Sequence, residues 1–123
     1  MHFDHQGVEA RKESSKLLLQ KIKALAGNSP VILTGDFNGD HNSEWYQTLA
    51  NSGTVSDTYK LAKHPYAPTG SYNNFGSHLD HNSIIDHIFI TKQFTVHKWG
   101  VLTDSYRGKF PSDHFPVMTV VKY

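Results

Sequence analysis

"VILTGDFNGDHNS", residues 31–43, opens as an apolar, β-branched run and then breaks into glycine, aspartate and asparagine. The VILT portion fits a short strand covered on both faces. The polar portion allows three readings. It is an ordinary Asx turn, the rim of an active site at a strand end, or a calcium loop. The last is suggested by the alternation of Asp36, Asn38, Asp40, Asn42 and Glu44, but His41 stands where such a loop needs glycine and Gln47 where it needs a bidentate glutamate. A strand rather than a helix also leads into it. The choice between turn and active site depends on the rest of the chain.

Upstream, GVEARKESSKLLLQKIKALAGN predicts a helix whose apolar face carries Leu18, Ile22 and Leu25, flanked by Val8, Leu17 or Ala26, with Gly27 as its stop. Leu17 to Leu19 read as core. Downstream, SEWYQTLANSG predicts a second helix capped by Asn42 or Ser43, burying Trp45 and Leu49 and ending at Gly53. TVSDTYKLAKH holds one more short helical turn, and residues 65–83, rich in Gly, Pro, Asn and Ser, read as a long surface loop. SIIDHIFIT, FTVHKWGVLT and FPVMTVVKY are strands, and the two residues Lys92 and Gln93 between the first pair suggest a hairpin packed by Phe94 and Trp99. The order of elements predicts an α/β (α+β) layered fold with a mixed β-sheet and helices on one face.

The totals narrow the function. With 123 residues the chain is one domain at most, or part of one, and it has no cysteine for a disulfide, a thiolate zinc site or a nucleophile. A formal net charge of +1 shows no strong basic field for nucleic acid or anionic membrane. No apolar run is long enough to span a membrane, and MHFDHQGVEARKESSK is too polar for a signal peptide.

Polar residues recur beside strands that otherwise want burial. Asp36 and Asn38 follow VILT, Asp86 lies inside IIDHIFI, Asp113 and His114 precede FPVMTVV, and His2 and Asp4 precede the first helix. An aspartate among apolar neighbours is costly to bury unless it is paired or meets a cation. Several at corresponding strand ends point to one shared site. His78, Asp80 and His81 of HLDHN have metal-ligand spacing but sit in a polar loop without apolar support, and read as solvated.

GDFN, IDHIF and SDHFPV, in that order after HFDH....AR, resemble the endonuclease/exonuclease/phosphatase superfamily, the deoxyribonuclease-I-like hydrolases. The resemblance covers nearly all of the chain but only the C-terminal half or so of the family's usual domain. It implies half of a two-sheet sandwich and a Mg²⁺- (or Mn²⁺-) dependent phosphoesterase. Within it, Asp36 and Asn38 orient water and hold phosphate, Asp113 binds metal, and His114 is the catalytic histidine. Asp86 orients His114, and His2 is a second active-site histidine. Arg11 matches a common arginine whose role the resemblance leaves open. Each assignment has a chemical rationale. A hard cation draws charge from an anionic ester and prefers carboxylate oxygens. An aspartate behind an imidazole sets its tautomer and raises its pKa.

The family's N-terminal glutamate ligand and asparagine have no counterpart here. A fragment that self-associates or needs a missing N-terminal half is therefore expected, since a half-sandwich bares an apolar face. A noncatalytic remnant or binding module is the alternative. The resemblance implies a phosphate-ester substrate, with nucleic acid among the candidates. VLTDSYRGKFPSDHFPV is similar to a bacterial subgroup related to deadenylases.

Overall fold

The computed structural model describes residues 1–79 and 82–123. Helix α1, Val8–Ala26, turns Arg11 and Ser15 fully inward and packs Leu18, Leu19 and Ile22 on the core. It stops at Gly27, whose φ of 56° suits a residue without a side chain. The apolar face differs from expectation at three places. Val8, Leu17 and Leu25 are exposed, because only Leu18, Leu19 and Ile22 of this helix meet the apolar core, and α1 is anchored as well through Arg11 and Ser15. Ser15 Oγ donates to the carbonyl of Trp45 at 3.0 Å, tying α1 to α2, Glu44–Ala50. Within α2, Leu49 is buried as expected and Tyr46 is its fully buried companion, while Trp45 stays partly exposed.

Strand β1, Ile32–Asp36, pairs antiparallel with β3, Asp86–Ile90, and β3 pairs on its other edge with β2, Ser56–Asp57. The short helix α3, Thr58–Leu61, follows β2 and starts where Asp57 Oδ1 accepts the Tyr59 amide. Strand β4, Thr95–Val101, pairs with β5, Val117–Lys122, in a second sheet. The expected hairpin between IIDHIFI and FTVHKWG therefore does not form: both edges of β3 are already taken, by β1 and β2. Among the described residues, parallel pairing is confined to single bridges, His2 with Asp36 and Tyr66 with Gly100.

Two apolar clusters hold these layers. Phe3, Phe37, Tyr46, Leu49, Val55 and Phe89 form one beneath α1 and α2, and Ile84, Trp99, Val101 and Phe115 form the other. Trp99 is thus packing, as expected, though in the second cluster and edge-on to Tyr59 of α3 rather than in a hairpin with β3. Strand β1 is not covered on both faces. It lies at the edge of its sheet, and Ile32 is 50% exposed because only the face bearing Leu33 meets the core. Met118 and Val120 of β5 are likewise exposed.

The 65–83 segment is more than a surface loop. Ser71 and Asn73 are completely buried, and a single 3₁₀ turn spans Asn74–Gly76. Of the HLDHN cluster, His78 is exposed, and Asp80 and His81 lie outside the described residues.

Candidate active site

Antiparallel pairing places the end of β1 opposite the start of β3, so Asp36 and Asp86 are direct cross-strand partners. Side chains directly opposite in such a ladder share one face. His114 arrives three residues before β5 and completes the group: ligand atoms of Asp36, Asp86 and His114 lie within 4.8 Å of one another. They line a cleft of about 480 Å³ together with Thr34, Ser112 and Pro116.

The hydrogen bonds give each residue a distinct place. His114 Nδ1 lies 2.7 Å from Asp86 Oδ2, and His114 Nε2 lies 3.8 Å from Asp36 Oδ2. Asp36 Oδ1 accepts the Asn38 amide at 2.7 Å, which is an Asx turn. Turn and site are therefore not rivals here, because one oxygen of Asp36 closes the turn and the other faces the cleft. Asn38 Nδ2 donates to the Phe3 carbonyl at 2.8 Å and approaches His2 Nε2 at 3.4 Å. His2 Nε2 in turn is 3.4 Å from Asp36 Oδ2.

Burial disfavours a charged His114, but the hydrogen bond to Asp86 and the charges of Asp86, Asp36 and Asp113 outweigh it and hold the pKa above the ordinary imidazole value.

The structure thus brings His2, Asp36, Asn38, Asp86 and His114 together. Asp113 stands at the edge: its charge reaches His114, but its carboxylate is outside the three-residue group, with Ser112 Oγ 3.4 Å from Oδ1. Asp4 does not join. It accepts the amides of Gln6 and Gly7 ahead of α1, and these bonds, the one from Gln6 foremost, pull its pKa down. The alternating residues of the 36–44 stretch also part company. Asp40 closes its own turn onto Asn42, and Glu44 pairs with Lys12 at 2.6 Å.

Arg11 acquires a role the sequence left open. Its Nη1 donates to the carbonyls of Asp4 and His5, each at 3.0 Å, and its guanidinium lies 4.2 Å over the Trp45 ring. It thereby holds down the segment carrying His2.

Sequence reasoning missed Ser71, Tyr72 and Asn73. Ser71 Oγ accepts the amides of Ile85 and Asp86, while its carbonyl accepts that of Phe115. The Asn73 amide donates to the Asp113 carbonyl at 2.8 Å, and the Tyr72 ring stands edge-on to His114 at 5.2 Å. Nothing in SYNN distinguishes these residues from ordinary loop polarity.

The hard-cation chemistry fits the oxygen donors present: Asp36 and Asp86 offer carboxylates to the cleft, with Asp113 beside it. His114 is already engaged by Asp86, which suits a proton-handling imidazole better than a metal ligand.

A family model described as "Endonuclease/Exonuclease/phosphatase family" matches residues 2–114. Among solved structures, the mannosyl-6-phosphatase of Bacteroides thetaiotaomicron VPI-5482 shares 41% identity at a TM-score of 0.91, over 99% of this chain and 49% of that one. An endonuclease/exonuclease/phosphatase family protein from the same species shares 42% at 0.90, over 98% and 46%. One from Bacteroides vulgatus shares 32% at 0.89, over 98% and 47%. The chain spans about half the length of these relatives. No curated protein matches it.

Proposed function

The chain belongs to the endonuclease/exonuclease/phosphatase family, and on that premise we propose that it carries the phosphate-handling half of a divalent-cation-dependent phosphoester hydrolase. The observation that carries this reading is the convergence of Asp36, Asp86 and His114, residues far apart in sequence, on one open cleft. Asp36 accepts a hydrogen bond from the attacking water and aims it at phosphorus. Asn38 Nδ2 and His2 donate to phosphate oxygens. His114, oriented by Asp86, donates to the phosphate and passes a proton toward the leaving oxygen. A Mg²⁺ or Mn²⁺ ion supplies charge neutralisation of the ester when bound, and Asp113 with the cleft carboxylates is its donor set in this chain.

The likeness to a mannosyl-6-phosphatase favours a sugar phosphate monoester as substrate. The near-neutral charge weighs against tight duplex binding. We read the chain as the C-terminal portion of the family domain. Exposed Ile32, Met118 and Val120 support association with a preceding half or with a second copy.

The test is hydrolysis of mannose 6-phosphate, a diaryl phosphodiester and single-stranded DNA with and without Mg²⁺ or Mn²⁺, using Asp36→Ala as control. Metal-dependent phosphate release from the sugar ester, lost in the variant, is expected. No release from any substrate by the chain, alone or joined to a preceding half, sinks the reading in favour of a noncatalytic binding module. Thermal shift with Mn²⁺, comparing Asp113→Ala, tests the donor set without reference to turnover.

A further inference from the structure

We propose that His87, held by Asp57, is a positioning residue that fixes the Gly39 carbonyl and thereby the aim of Asp36 and Asn38; the inference deepens the phosphoesterase reading and rests on it for its kinetic consequence. His87 follows Asp86 on β3 and so faces the opposite side, into the core. Its ring is packed among Tyr46, Phe37 and Phe89 at 4.7, 5.7 and 5.9 Å. Nε2 lies 2.9 Å from the Gly39 carbonyl, and because a carbonyl only accepts, Nε2 donates there, as Nδ1 does to the carboxylate of Asp57. Nδ1 lies 3.1 Å from Asp57 Oδ2, which also accepts the Tyr46 hydroxyl at 2.9 Å. Asp57 Oδ1 accepts the Tyr59 amide, so the carboxylate is fixed from several directions.

The segment receiving this bond needs outside support. Asn38 has φ of 48°, the left-handed region that a non-glycine residue keeps only when its neighbours hold it there. On one side the Phe37 amide donates to Ile85 and its carbonyl accepts the Trp45 indole, both at 2.9 Å. On the other side the Gly39 carbonyl is held by His87. Gly39 itself has no room for a side chain, since a Cβ would run into the Trp45 indole and Ser43 Oγ. Releasing the Gly39 peptide frees Asn38 to leave its strained conformation. Its side-chain bond to the Phe3 carbonyl, and the Asx turn onto Asp36 Oδ1, go with it. His87 touches no substrate in this scheme and acts only through the loop.

The test compares His87→Phe, which keeps an aromatic ring without a donor, with His87→Gln, which keeps a donor, and with Leu49→Ala. The last softens the same core without removing a hydrogen bond to the loop. For His87→Phe we expect the Asn38 side-chain amide resonances to lose their hydrogen-bonded positions and kcat to fall about 100-fold with KM little changed. His87→Gln is expected to restore most of both. Leu49→Ala lowers Tm but leaves kcat and the Asn38 resonances in place.

Unchanged Asn38 resonances and kcat in His87→Phe overturn the proposal. So does Leu49→Ala reproducing the same losses at an equal fall in Tm. Should His87→Phe fail to fold, the wild-type His87 Nε2–H proton decides: slow exchange with water is expected, and free exchange overturns the assignment. A wild-type chain without any hydrolysis, alone or joined to a preceding half, defeats the phosphoesterase reading, while the resonance measurements still decide the positioning role.

Discussion

Strand β3 serves two Asp–His pairs, one from each face. On the cleft side Asp86 meets His114 at 2.7 Å with the two side chains 22% and 24% exposed, and on the core side His87 meets Asp57 at 3.1 Å with both at 3% or less. The chemistry of the partners is the same; the surroundings are not. The cleft pair keeps an open face toward solvent and a second imidazole nitrogen turned to Asp36, so its proton is available to a ligand. The core pair has an oxygen at each ring nitrogen and a tyrosine on its carboxylate, leaving nothing free. Pleating of a strand therefore separates chemistry from support at adjacent positions. Variants that strike one pair and spare the other test whether the two differ in this way.

The largest effect is expected at the core pair. Asp57→Ala leaves His87 and the Tyr46 hydroxyl buried without their common partner and strips the start of α3 of its cap. Removing one member of a buried charge pair costs about 3–5 kcal/mol, and urea denaturation should show a loss of that size. A loss below about 1 kcal/mol, the usual worth of an exposed pair, would erase the distinction between the two sites.

Tyr46→Phe is a milder blow to the same network, since only the hydroxyl goes and the His87–Asp57 contact remains. Hydrogen bonds to a charged acceptor contribute about 1.5–3 kcal/mol. Burial, then the charge of Asp57 and its hydrogen bond, push the Tyr46 hydroxyl far above its ordinary pKa. The phenol should accordingly stay protonated in alkaline ultraviolet titration for as long as the fold survives. Early ionisation would show that the network is open to water.

Asp86→Asn should do the least to stability, about 1 kcal/mol or less, while on the proposed mechanism turnover falls by about 100-fold or more as His114 loses the group that orients it. A stability loss as large as that of Asp57→Ala would make Asp86 a structural residue.

The two pairs were unequally legible in the sequence. Asp36, Asn38, Asp86 and His114 announce themselves because each is a costly polar residue within or beside an apolar run, and GDFN, IDH and SDH carry the family likeness. His87 sits in the same IDH, yet its contact is with Asp57, thirty positions away, in a segment read only as a short helical turn. Periodicity places His87 on the face opposite Asp86 but cannot name a partner on a strand as short as Ser56–Asp57. The hairpin expectation failed for a related reason. The brevity of the Lys92–Gln93 link argued for pairing, but β2 and β1 compete for the same edges of β3, and that competition is decided by long-range packing. Leu25 and Ile32 show the converse limit: an apolar side chain in the right period is buried only where something lies opposite it.

The smallest expected effect is in pH dependence, and it distinguishes the pairs without damaging either fold. His114 has a folded pKa raised above its ordinary value of 6.5. A raised folded pKa means that folding binds the proton more tightly, so its contribution to stability is fully present below the unfolded value and is lost as pH rises through the folded one. In chelator-treated protein, denaturation midpoints should decline as pH is raised from about 6.5. The informative quantity is the difference between wild type and Asp86→Asn. With the Asp86 charge gone, burial of His114 opposes protonation against weaker help from Asp36 and Asp113, and the decline should flatten. NMR titration of the His114 ring should place its midpoint lower in Asp86→Asn than in wild type. Equal midpoints in the two proteins would mean that Asp86 does not govern this imidazole, and the cleft pair would lose its standing as the reactive one.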